Sequence, residues 1–160
     1  MIHKSAIVSP KAKIGKNVRI GHFSVVHDDV IIGDNTIIEG YCELGYPTVL
    51  ADKQPLIIGS DSHIRSHSIF YAGSTFKEKL VTGHRVSVRE NTHAGVNLQI
   101  GTLSDFQGDC NIGDYVRTHS NVHIGKHSSI GSCIWIFPYG GLSEKTYLRV
   151  NKIFYWIFLS

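Results

Sequence analysis

A large aliphatic or aromatic residue recurs at every sixth position along most of this chain, and no other feature constrains the fold so tightly. The first block reads Ile2, Val8, Ile14, Ile20, Val26, Ile32, Ile38 and Leu44. A second block starts at Ile58 and keeps one phase through Ile64, Phe70, Phe76, Thr82, Val88, Ala94, Ile100, Phe106, Ile112, Thr118, Ile124, Ile130 and Ile136 to Leu142. Twenty of these 23 positions hold Ile, Val, Leu or Phe, and eleven of the 16 glycines directly follow one, so the unit is six residues long and glycine is part of it. A period of six is no multiple of the helical 3.6 but is a multiple of the strand period of two. So short a unit cannot bury an apolar face alone and gains a core only by stacking on copies of itself, which makes an all-β solenoid.

Three hexads close a triangular coil of 18 residues with a short strand on each side. The large residue points inward at a corner. The residue four later also points inward and is mostly small, as at Ala6, Ser24, Cys42, Ser68 and Cys110. Glycine is expected after the large residue to ease the bend. Coils stacked as parallel strands about 4.8 Å apart give roughly eight coils, a prism on the order of 40 Å long. Leu44 and Ile58 are 14 residues apart, two more than two hexads, and the segment between carries Pro47 and Pro55. Residues 45–57 are therefore predicted to form a loop extruded from one corner.

A β-helix domain is expected over 1–142 and a C-terminal cap or tail over 143–160. Eight of the 16 aromatic residues fall in the last 26 positions, which sets this end apart. Its apolar run over 153–159 is too short to span a membrane, so no transmembrane segment is predicted. The helical spacing of Leu148, Ile153, Phe154, Ile157 and Phe158 predicts a short helix capping the open end of the solenoid. Contact of this aromatic tail with a membrane surface or a partner, or a damaged or disordered end, are the alternatives. A net charge of +3, scattered along the chain, argues against a nucleic-acid interface. The chain opens Met1-Ile2-His3-Lys4 and enters the repeat at once, so a cytoplasmic protein without a signal peptide is expected. Cys42 and Cys110 fall in inward slots and read as packed, reduced residues.

The repeat resembles that of the hexapeptide-repeat acyltransferase family. The resemblance implies a left-handed parallel β-helix, an exception to the right-handed crossover rule, and a homotrimer with parallel axes whose sites lie between subunits. Of the ten histidines, only His22 and His84 sit two residues after a hexad position and behind a glycine. In this family the catalytic histidine often occupies that slot. The run Thr82-Gly83-His84-Arg85-Val86-Ser87-Val88-Arg89-Glu90-Asn91, followed by Gln107-Gly108-Asp109-Cys110 and His119-Ser120-Asn121, is similar to sugar and nucleotide-sugar acetyltransferases. The resemblance implies transfer of an acetyl group from acetyl-CoA to an amino or hydroxyl group of a nucleotide-linked sugar. It assigns His84 as general base, Glu90, Asn91, Asp109 and His119 to the substrate, and Gly101, Gly113 and Gly125 to acetyl-CoA, with no metal. Glu90 or Asp109 is expected to fix the His84 tautomer. The chemistry asks for little more: a thioester is already activated, so the protein must align the reactants, take one proton and stabilise an oxyanion.

Two other readings stay open. His22 and His27 are spaced like two zinc ligands of the γ-class carbonic anhydrases, which share the fold and need a third histidine. Only His3 precedes the pair, and counting hexads sets it on a different corner. After Ile136-Phe137-Pro138-Tyr139 the chain departs from its relatives into Gly140-Gly141 and the aromatic tail, as a catalytically inactive or truncated scaffold would.

Overall fold

The computed structural model describes residues 1–149. Each hexad becomes a two-residue strand and a turn, and Ile7–Val8, Lys13–Ile14 and Arg19–Ile20 begin three separate parallel sheets. These sheets, faces one, two and three in that order, stack eight, eight and seven strands, so the chain is a left-handed parallel β-helix of about eight coils. An isolated bridge from Ile2 to Ile20 extends face three toward the N-terminus. Partners are one coil apart, as Val8 with Val26 and Val88 with Phe106.

The hexad residues fill the interior. Phe70, Phe76 and Phe106 are among the largest fully buried side chains, and Phe70 meets Phe76 edge-on at a centroid distance of 5.3 Å. The slot four residues later is buried as expected at Ser24, Thr36, Cys42, Thr92 and Ser128, but it also holds Leu56, Leu80 and Leu98. Its hydroxyls repair the backbone where the turns interrupt the ladder. Ser68 Oγ donates to the Arg65 carbonyl at 2.8 Å and accepts from the Val86 amide at 3.2 Å. Ser104 does the same for the His119 carbonyl and the Val122 amide. A backbone group left unpaired there would cost a large fraction of a hydrogen bond, which is why serine outcompetes alanine in the slot. Burial pushes the Cys42 thiol up to about 11, against the opposing amide bonds of Ser68 and His67, and raises Cys110 as well. Both are packed thiols with little thiolate character.

Glycine plays a different part from the one the sequence suggests. The residue that adopts positive φ is the third after the hexad position, and it is often Asn or Asp, as at Asn17, Asp29, Asn35, Asp61, Asn91 and Asn121. These short polar side chains tolerate the left-handed region. Glycine directly after the hexad residue instead lets successive coils approach. A Cβ on Gly21 would lie 2.5 Å from Gly40 N, and one on Gly83 would collide with the amide and Oγ1 of Thr102.

The interruption lies wholly within one step from face one to face two. Leu44 belongs to face one and Ile58 to face two, so 14 residues replace the usual six and eight are extra. The strand Glu43–Tyr46 runs on past the usual length, and Thr48 caps a short 3-10 turn over Val49–Ala51. Ala51 is buried, whereas Val49 points into solvent. The predicted loop is therefore present and the helix continues through it. At the other end the repeat passes the expected boundary at 142, because Tyr147–Leu148 pairs with Ser129–Ile130 on face two. The predicted capping helix over 153–158 lies outside the described residues. Among the described residues no helix is long and apolar enough to cross a membrane.

Candidate active site

The corner between faces three and one carries a vertical array of polar side chains from three successive coils. His84 follows the strand Val81–Thr82, whose Thr82 turns inward and accepts from the Arg65 amide at 2.9 Å. The His84 amide donates to Thr102 Oγ1 of the coil above at 3.2 Å, which ties down the turn. The His84 side chain is 48% exposed. Its Nδ1 lies 2.9 Å from Ser66 Oγ, the same slot one coil below, and 3.9 Å from Glu39 Oε2. Its Nε2 has no hydrogen-bond partner among the described residues.

Glu39 is held from above. Oε2 accepts from the Ser66 amide at 3.1 Å, and Oε1 is 2.9 Å from His63 Nε2. Partial burial works against its charge, but the bonds from His63 and Ser66 and the nearby His63 and His84 prevail, so the carboxyl lies below its ordinary range. The result is a histidine with one nitrogen engaged, the other open, and a carboxylate behind it.

His22 occupies the equivalent slot near the N-terminal end, in different surroundings. It meets Tyr41 edge-on at 4.9 Å and His3 at 6.0 Å, and Phe23, Tyr41 and His67 stack up the same corner. The position above it is Gly40, where a Cβ would lie 2.7 Å from His22 Cε1. Hexad counting placed His3 on a different corner; the bridge from Ile2 to Ile20 puts it on the same one as His22. His27, in contrast, stands on the next corner and bonds Glu43 at 2.8 Å. Among the described residues no three His, Cys, Asp or Glu side chains are grouped to hold a metal.

The residues expected to surround His84 divide between corners. His119 shares its corner two coils higher, roughly 10 Å along the axis, and stacks on Phe137 with centroids 5.7 Å apart. Glu90, Asn91 and Asp109 follow strands of face one and stand on the corner between faces one and two. Neither Glu90 nor Asp109 orients His84. The buried Glu90 carboxylate is bound by Arg89 at 3.2 and 3.3 Å, and Arg89 lies over the Tyr71 ring. Asn91 pins the loop by donating to the Leu50 carbonyl at 3.0 Å and also reaches Asp109 at 3.1 Å. Burial of Asp109 opposes its charge, yet Asn91 and Lys126 hold its carboxyl below the usual range. Gly101, Gly113 and Gly125 follow strands of faces three, two and one respectively, so they stand on three different corners. Gly113 lines a shallow groove along face two with Gly95 and Gly131.

Ser66, Glu39 and His63 were not singled out by the sequence. Ser66 was findable, since it is eighteen residues before His84. Glu39 was hidden by the eight extra loop residues, which shift the count between its coil and the next.

Comparison with known proteins follows the same lines. Residues 1–46 match the family described as bacterial transferase hexapeptide (six repeats). The chain is 32% identical over 144 residues to the acyl-[acyl-carrier-protein]–UDP-N-acetylglucosamine O-acyltransferase of Saccharophagus degradans, covering 84% of this chain and 50% of that protein. The like-named enzyme of Rickettsia bellii is 32% identical over 95 residues, covering 46% of this chain and 34% of that one. The chain thus spans about half the length of the Saccharophagus protein and about a third of the Rickettsia one. Among solved structures, the UDP-N-acetylglucosamine O-acyltransferase of Moraxella catarrhalis superposes with a TM-score of 0.54 at 21% identity, covering 84% of this chain and 66% of that one. The Arabidopsis UDP-N-acetylglucosamine acyltransferase gives 0.51 at 14%, covering 91% and 66%. At these identities the structures speak for the fold.

Proposed function

We propose that this hexapeptide-repeat chain is an acyltransferase that moves an acyl group from a thioester donor to a hydroxyl or amino group of a nucleotide-linked amino sugar. The observation that carries the proposal is His84: an exposed imidazole on the corner, Nδ1 engaged by Ser66 in front of the Glu39 carboxylate, Nε2 open. The activity for which the relatives are named supports the acceptor class and favours an acyl-carrier-protein thioester as donor. Acetyl-CoA, expected from the sequence, is the competing donor. An inactive scaffold gives no reason for a histidine so disposed, and His22 and His27 on separate corners do not favour a zinc site.

In this reaction His84 Nε2 takes the proton from the acceptor as its oxygen or nitrogen attacks the thioester carbonyl. The tetrahedral intermediate collapses, the carbon–sulfur bond breaks, and the leaving sulfur takes the proton back from the imidazolium. Gly83 and Gly101 donate their own amides to Ile100 O and Thr118 Oγ1. The Thr102 amide, one coil above His84, makes no hydrogen bond among the described residues and is the better candidate for the oxyanion. His119 and Gly101 line the same corner and suit the acceptor and the thioester arm. Glu90, Asn91, Asp109, Gly113 and Gly125 reach this chemistry only from a neighbouring subunit.

Incubation with UDP-N-acetylglucosamine and either an acyl-[acyl-carrier-protein] or acetyl-CoA tests the proposal. Acylated nucleotide sugar with the carrier-protein donor is the expected product; product from acetyl-CoA alone reverses the donor assignment, and none from either ends the transferase reading. A trimer with parallel axes follows from the same reading. Light scattering is expected to give three times the chain mass of 17.8 kDa at micromolar concentration, and a monomer would exclude a site between subunits.

A further inference from the structure

We infer that Glu39 and Ser66 are positioning residues that select the tautomer of His84 and so determine whether its outward nitrogen can accept a proton. The inference rests on the reading of His84 as the base. A hydroxyl is both donor and acceptor. Ser66 Oγ, 2.9 Å from Nδ1, can take a proton from Nδ1–H or give one to a bare Nδ1. The two arrangements are chemically opposite. With the proton on Nδ1, the Nε2 lone pair faces outward and His84 is a base. With the proton on Nε2, the same ring presents a donor and cannot abstract anything.

Glu39 breaks the tie. Its Oε2 lies 3.9 Å from Nδ1, so the carboxylate favours a proton at Nδ1 and stabilises the imidazolium that forms during transfer. The carboxylate in turn is fixed at both oxygens, by the Ser66 amide at 3.1 Å and His63 Nε2 at 2.9 Å. Ser66 therefore acts twice: its amide places the carboxylate and its hydroxyl places the imidazole. His22, in the equivalent slot but with Gly40 above it and aromatic rings around it, has none of these partners. The three-coil arrangement is what distinguishes one histidine slot from the other.

Nitrogen-15 NMR of the histidine rings in the full-length chain, assigned with His84→Ala, reads the tautomer without any substrate. The wild type is expected to hold neutral His84 mainly as Nδ1–H. Glu39→Gln and Ser66→Ala should each move it toward Nε2–H, and Ser66→Thr, which keeps hydroxyl and amide, should restore the wild-type pattern. With the acyl-[acyl-carrier-protein] donor and UDP-N-acetylglucosamine, Glu39→Gln should lower kcat about tenfold or more with little change in KM. An unchanged tautomer in both Glu39→Gln and Ser66→Ala overturns the inference. A shifted tautomer in chains that transfer no acyl group upholds it and removes the transferase reading instead.

Discussion

Replacing His84 with alanine is expected to lower acyl transfer roughly 10²–10⁴-fold, the usual worth of a positioned acid–base group, while leaving the β-helix intact. The fold should survive because the side chain is half exposed and, among the described residues, its ring makes one hydrogen bond, to the Ser66 hydroxyl. The turn is secured by the His84 amide on Thr102 Oγ1, which alanine keeps. His22→Ala removes the same atoms from the equivalent slot and is expected to leave turnover nearly unchanged, since among the described residues its ring meets aromatic neighbours and no carboxylate or hydroxyl bonds it. Steady-state rates for the two variants, with circular dichroism to confirm that both fold, make the comparison. Equal effects would show that slot geometry alone confers nothing. If neither variant loses activity, His119, two coils up the same corner, becomes the candidate base. An amine acceptor that binds already deprotonated would ask less of the base, so a larger loss is expected for a hydroxyl acceptor.

The contrast between His84 and His22 also marks where the sequence stops being informative. Hexad phase alone identified every strand from Ile7–Val8 to Gly141–Leu142, because inward packing of one large residue per side is a strict steric demand. It placed both histidines on outward corners correctly. It could not say which residues of other coils face them, since that depends on coil length, and one coil is eight residues longer than the rest. Residues close to His84 in sequence, such as Glu90, were therefore favoured over Glu39, yet a step of one hexad moves a side chain to another corner. The role of glycine was misjudged for a related reason. The crowding at Gly83 comes from Thr102 of the next coil, which a local reading of the turn does not include. Leu148 fits both patterns, the helical spacing of the aromatic tail and the next hexad position after 142, and its pairing with Ile130 follows the hexad.

Phe106→Ala is expected to destabilise the chain by about 3–5 kcal/mol, the usual range for truncating a buried aromatic. Phe106 is fully buried on the sixth of the eight strands of face one, paired with Val88 on one side and Ile124 on the other. In a close-packed interior the cavity left behind closes only in part, so lost contacts add to the lost burial. The solenoid makes the position more sensitive still. Each coil touches only its neighbours, so a weakened interior coil lowers the coupling between the coils before it and those after it. Denaturant unfolding should accordingly show a lower midpoint and a broader transition, as the two parts begin to unfold separately. Phe106→Leu, which keeps most of the volume, should cost less than about 1.5 kcal/mol. Leu103, three residues earlier and half exposed on the corner, provides the control. Leu103→Ala is expected to change stability by no more than about 0.5 kcal/mol. Comparable losses for Phe106→Ala and Leu103→Ala would contradict a core built from one inward residue per hexad.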